Sequence, residues 1–221
     1  LHTDQEFANS LMTLFYEHGW LLSQDSFYRE RNNHGMFQDL ALLALSETFP
    51  EFSAAEEWKG ISTDRLMEQI TFGISPEGLH MEHSPSYQLY IYNSLIAFVD
   101  WAEINGFSLP EEMVKRVKAM PKALTYLTKP DGTIPLFGDS PASNMSTNLV
   151  PYPEEYPEMT YSFTQGKDGN KPSTNSVNLS NQFAIVRQHW GEDKSFDQSV
   201  YFGMTAGFHS TAHKHPDDLS I

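Results

Sequence analysis

Apolar residues recur every three or four positions through the first part of the chain, and this spacing predicts amphipathic helices near 4–29, 34–48, 53–72, 85–105 and 110–128. In the fourth, Tyr87, Ile91, Leu95, Phe98 and Ala102 fall on one face, and Ser84 followed by Pro85 supplies an N-cap and first-turn pair. The connections are short, which favours stacked antiparallel helical hairpins. Between 129 and 180 the period is lost and Pro, Gly, Ser, Thr and Asn accumulate, as in PYPEEYPEMT and GKDGNKPSTNS, the signature of a long connection. Strand-type patterning follows in FAIVRQHW (183–190) and SVYFGMTAGF (199–208), where Val200, Phe202, Met204, Ala206 and Phe208 alternate along one face. The order is therefore α and then β, with a helical domain over 1–140, a connection over 141–180 and a β domain begun over 181–221.

Composition narrows the class. The 221 residues are 39% hydrophobic and 13% aromatic, enough to bury a core and leave rings for a sugar-binding surface. A formal net charge of −15 argues against a nucleic-acid partner, and an anionic substrate would have to be held by local groups. The chain has no cysteine, which excludes disulfides, Cys-based zinc sites and thiol nucleophiles. No apolar run approaches the roughly 18 residues of a membrane span, and LHTDQEFANS has neither the basic nor the apolar region of a signal peptide. The start reads as the middle of a helix and HKHPDDLSI as the beginning of a strand, so a piece of a longer protein is expected.

Three clusters carry candidate chemistry. In RNNHG (31–35), Asn33 either caps the next helix or projects with His34 from a helix start, where unpaired N–H groups favour an anion. In EHSPSYQLY (82–90), Tyr87 and Tyr90 share a helical face, as packing residues or as a phenol for proton transfer beside a second ring. In HSTAHKHPDDLS (209–220), His213 and His215 have a spacing common among metal ligands, with Asp217 in reach, or form a polar turn. The last segment is similar to the His-x-His-x-Asp-His run of metallo-β-lactamase-fold hydrolases, but Asp218 stands where that run ends in His. Asp131 and Asp139 in DGTIPLFGDS could serve as the carboxylate pair of a glycosidase or lie in turns. Arg187 could hold a substrate carboxylate or stack beside Trp190.

Taken together, Asn-Asn-His-Gly at 32–35, Ser-Pro-Ser-Tyr-x-x-Tyr at 84–90, Gly-Asp-Ser at 138–140, Ala-x-x-Arg-x-x-Trp-Gly at 184–191 and His-x-His-x-Asp-x-Leu-Ser at 213–220 resemble the heparinase II/III-like polysaccharide lyases and their alginate-lyase relatives. The resemblance implies part of an (α/α) toroid followed by the first strands of an antiparallel β-sandwich. It assigns catalysis to Asn33, His34, Tyr87 and His213, with Asn33 neutralising a uronate carboxylate and either His34 or Tyr87 removing a proton. It further assigns substrate contact to Tyr90 and Arg187, and His215 to a structural zinc site completed elsewhere, with no organic cofactor. The implied substrate is an acidic polysaccharide cleaved by β-elimination, in the periplasm or outside the cell. Sulfate-binding Lys and Arg are few, which disfavours a highly sulfated substrate. A glycoside hydrolase on an (α/α) toroid and a non-catalytic carbohydrate-binding module are the alternatives.

Overall fold

The computed structural model describes residues 4–148, 150–192, 195–209, 213, 215–216 and 219. Five long helices stand where the periodicity places them: α1 (Gln5–Ser23), α2 (Asn33–Thr48), α3 (Ala55–Gly73), α4 (Pro85–Asn105) and α5 (Glu111–Leu127). The stretch expected to be an unbroken connection holds a short helix, α6 (Pro157–Phe163), and the first strand, β1 (Ser176–Leu179). With β2 (Phe183–Arg187) and β3 (Tyr201–Thr205), β1 forms an antiparallel sheet in chain order, Val177 opposite Ile185 and Ile185 opposite Gly203. Among the described residues no helix is long and apolar enough to cross a membrane.

The chain divides into two compact units that interleave in sequence: Leu1–Gly73 with Trp101–Met113, and Ile74–Asp100 with Val114–Ile221.

In the first unit α2 and α3 pack together and bury Leu42 and Leu43 from one and Trp58, Leu66 and Ile70 from the other. Each such side chain removed from water is worth about 1.5–3 kcal/mol. Helix α1 begins at Asp4, whose carboxylate accepts from the N–H groups of Glu6 and Phe7, and lies close to α3 at Gly19, where a Cβ would meet the Trp58 ring. It stops at Ser23 rather than near 29. Arg65 takes the carbonyls of Leu22 (3.1 Å) and Ser23 (3.0 Å), acceptors that a helix end leaves without partners, and its guanidinium lies 4.3 Å from the Tyr28 ring.

In the second unit the inner face of the sheet joins α5 in one core that includes Leu79, Leu127, Phe137, Phe183, Ile185 and Trp190. Phe183, Ile185 and Arg187 point inward from β2, as period two requires. On β3 it is Gly203 and Thr205 that are buried, while Phe202, and Val200 just before the strand, are exposed. The apolar alternation along 200–208 is thus present, but in this chain it lies on the face turned away from the core. Gln88 ties the approach to α4 together: it accepts from His80 N (2.6 Å) and donates to the carbonyls of Gly78 (2.8 Å) and Met120 (3.3 Å).

Candidate active site

In the first unit the Asn-Asn-His-Gly segment turns the chain into α2. The N-cap is Asn32, not Asn33: its side chain accepts from His34 N at 2.9 Å, and Asn33 is the first helical residue. Asn33 is buried while His34 is exposed, in the wall of an open groove that Tyr28, Arg29, Glu30, Asn32 and Gln38 also line. Gln69 of α3 holds the turn from behind. Its carbonyl accepts from Asn32 N (3.2 Å), and its amide donates to the Tyr28 hydroxyl (2.8 Å) and Arg29 O (3.1 Å). Tyr28 in turn donates to Asp39 at 3.1 Å. Burial pushes the Asp39 carboxyl up to about 7, against the opposing pull of the Tyr28 hydrogen bond and Arg65. Gly35 completes the turn because the Arg29 carbonyl and the Gln69 amide occupy the space of any Cβ.

In the second unit three separated stretches converge on the start of α4. Ser140 of the Gly-Asp-Ser loop reaches Ser84 Oγ (2.9 Å) and accepts from Ser86 N (3.1 Å), one of the N–H groups a helix start leaves unpaired. This docks Asp139 beside Tyr87 on the first turn. From the strand side, Gln182 donates to Met81 O (3.0 Å) and His209 N donates to His83 Nε2 (3.1 Å), fixing the segment 81–83. His213 then stacks on Tyr87, ring centroids 3.8 Å apart and planes at 27°, and Tyr90 meets Tyr87 edge-on at 6.2 Å. The Nδ1 of His213 lies 2.5 Å from Asp139 Oδ2 and its Nε2 lies 3.4 Å from Glu82 Oε2.

The electrostatics of this cluster follow from burial. Glu82 is pushed above the usual carboxylate range by burial, with His213 pulling it down and Asp139 adding to the rise. His80, its Nε2 3.9 Å from Glu82, is pushed down to about 3 by burial and by His213 and His209, so it stays neutral near pH 7. His83 and His213 both adopt left-handed backbone, φ 63° and 53°, a conformation that costs L-residues and that clusters at functional sites. Gly138 makes room for it, since a Cβ there would strike the carbonyls of both His213 and His83. The arrangement offers a phenol against an imidazole whose two nitrogens face two carboxylates, the components of a proton-transfer site.

Residues 2–162 match the model of the heparinase II/III N-terminus. The chain belongs to the heparinase II/III family. It is 27% identical over 175 residues to a heparin-sulfate lyase of Pedobacter heparinus, a match covering 75% of this chain and 27% of that protein. Among solved structures, that of heparinase III superposes with a TM-score of 0.78 at 23% identity, over 98% of this chain and 37% of its own. That of the heparan sulfate lyase HepC from Pedobacter heparinus superposes with a TM-score of 0.73 at 23% identity, over 96% and 33%. These likenesses establish the fold, part of an (α/α) toroid followed by an antiparallel sheet. The chain spans about a quarter to just over a third of the length of these relatives.

Within this heparinase II/III chain the sequence-assigned residues fall into separate groups. Tyr87, Tyr90 and His213 come together in one unit, and Asn33 and His34 stand together in the other. Arg187 is 2% exposed, its guanidinium 4.0 Å from the Trp190 ring and 4.5 Å from that of Phe196. This is the geometry of a stacking residue. His215 is exposed, and its neighbours Asp217 and Asp218 lie outside the described residues. Among the described residues no group of three or more His, Asp or Glu could hold a metal, so they do not make up the ligand set a structural zinc requires.

Sequence reasoning missed the carboxylates that face His213. In the sequence Asp139 stands in a possible glycosidase pair with Asp131 and in the Gly-Asp-Ser motif, and Glu82 stands only as the first residue of EHSPSYQLY, with nothing joining either to His213. Asp131 is engaged elsewhere, accepting from Thr133 N (2.9 Å) and Thr133 Oγ1 (2.7 Å) in a turn. The available signal was the pair of serines, Ser84 and Ser140, each beside a candidate residue and each suited to cap the same helix.

Proposed function

We propose that the protein of which this chain is part is a polysaccharide lyase that cleaves uronic-acid-containing chains by β-elimination, outside the cytoplasm. The observation that carries this reading is the Tyr87–His213 stack with Asp139 and Glu82 on the two imidazole nitrogens, in a member of the heparinase II/III family.

The chemistry asks for these groups. The proton on C5 of a uronate is too weakly acidic to remove while the adjacent carboxylate keeps its charge. In this reading Asn33, with His34 from the same turn or with His213, donates hydrogen bonds to that carboxylate and stabilises the enolate that forms, an aimed electrostatic contribution of the kind that is often the largest in catalysis. Tyr87 or His34 removes the C5 proton, according to the configuration of the sugar. The electron pair left at C5 forms the C4–C5 double bond, and the bond from C4 to the glycosidic oxygen breaks. Tyr87 gives that oxygen its proton as it leaves. Tyr90, 54% exposed and edge-on to Tyr87, offers a ring for sugar packing.

The test is to offer the full-length protein a panel of uronate polysaccharides and follow ultraviolet absorbance. Unsaturated uronate ends appearing with turnover support elimination; new reducing ends without that absorbance point to hydrolysis and overturn it.

A further inference from the structure

We infer that Asp139 is a positioning residue that aims His213, an inference that rests on the lyase reading above. A carboxylate only accepts, so His213 Nδ1 is the donor in the 2.5 Å contact with Asp139 Oδ2. Such a hydrogen bond is among the stronger that proteins make, and by occupying Nδ1 it decides that Nε2 is the nitrogen turned toward Glu82 and available for chemistry. The ring is then held by the bond to Asp139 and by face contact with Tyr87.

Asp139 is well placed for this because its own position is referenced to the helix that carries Tyr87. Ser140 caps that helix through Ser86 N and meets Ser84 Oγ, so the loop bearing Asp139 is tied to the turn bearing Tyr87. His213 needs such a hold: its φ of 53° is a strained backbone setting, and Gly138 is what lets its carbonyl come close. A purely structural role is the weaker account. The Asp139 side chain keeps 33% of its surface exposed and that of His213 19%, so water reaches both partners and screens what the pair adds to stability. Removing Asp139 should therefore cost little folding energy and much turnover.

The experiment is a double-mutant cycle in the full-length enzyme, read by unsaturated-product formation and by thermal unfolding. Asp139→Ala should lower kcat about 10- to 100-fold, the usual cost of losing a group that orients a functional histidine, with KM and the unfolding midpoint little changed. Asp139→Asn, which keeps the acceptor and loses the charge, should fall between it and the parent. In a His213→Ala background, Asp139→Ala should cause no further loss, because its effect passes through that ring. An equal loss in both backgrounds, an unchanged kcat in Asp139→Ala, or a fall in kcat matched by a fall in the unfolding midpoint would overturn the inference. A parent enzyme that makes no unsaturated ends, or a His213→Ala variant at full rate, overturns the lyase reading first and the inference with it.

Discussion

The two polar regions of this chain are built in opposite ways. The Asn32–Gly35 turn is assembled from neighbours in sequence and held by neutral amides: Asn32 caps α2, and Gln69 reaches three points of the segment 28–32 from behind. The Tyr87–His213 cluster is assembled from three separated chain stretches, Asp139 and His213 standing 74 residues apart, and is held by ionisable groups, with carboxylates on both imidazole nitrogens. The first presents amide groups, which do not titrate; the second presents groups that can exchange protons. In the elimination proposed above those would be different duties, holding a carboxylate in one case and moving hydrogen in the other.

The sharpest way to break this contrast is Tyr87→Phe, which removes only the hydroxyl. If the phenol transfers a proton in the transition state, kcat should fall by about 10²–10⁴ with KM little changed. Steady-state kinetics on the full-length enzyme, with unfolding followed in parallel, separates that from a packing role; the same change at Tyr90 should cost less. Asn33→Ala should be next, lowering kcat by about 10²–10³, the range seen when one donor to a developing oxyanion is lost. Kinetics at saturating substrate would show it, and an unchanged kcat would remove the turn from the chemistry.

Gly35→Ala tests the turn as a scaffold. The new methyl group would run into Arg29 O and Gln69, so chemical denaturation should show a loss of about 1–3 kcal/mol, as overpacking typically costs. Turnover should fall only as far as Asn33 is displaced. Smallest in its effect on turnover is Asp39→Asn. The Asp39 carboxyl is raised from its ordinary 3.8 to about 7 in the folded protein, so over that window the folded state binds more protons than the unfolded one. Its contribution is fully present below pH about 4 and is lost as pH rises through about 7. The parent should therefore lose stability across that window relative to Asp39→Asn; parallel stability–pH curves for the two would contradict this.

The same contrast explains what the sequence discloses. The helices were legible because their apolar spacing is local, and Tyr87 and Tyr90 could be placed on one face of α4 for that reason. The end of α1 was not, because Arg65, 42 residues beyond Ser23, takes its last carbonyls. On β3 the alternation was plain but not which face is buried, since period two looks the same from either side and packing decides. The Asn-Asn-His-Gly run announces a helix start and offers Asn33 as its cap; Asn32 takes that place instead, with its own N–H held by Gln69. Glu82 and Asp139 escaped because nothing near either residue in sequence points to His213; the meeting is made by Ser140 on the α4 N-terminus.

The central claim, that this family member breaks its polysaccharide by elimination with the Tyr87–His213 cluster moving the protons, is tested most directly by following the products of full-length enzyme in water labelled with heavy oxygen. Elimination adds no water across the broken bond, so mass spectrometry of freshly formed products should find no label from the cleavage and the fragment with the new non-reducing end one water lighter than hydrolysis would give, and Tyr87→Phe should slow their appearance. Label incorporated at the new reducing end of each product would contradict the account.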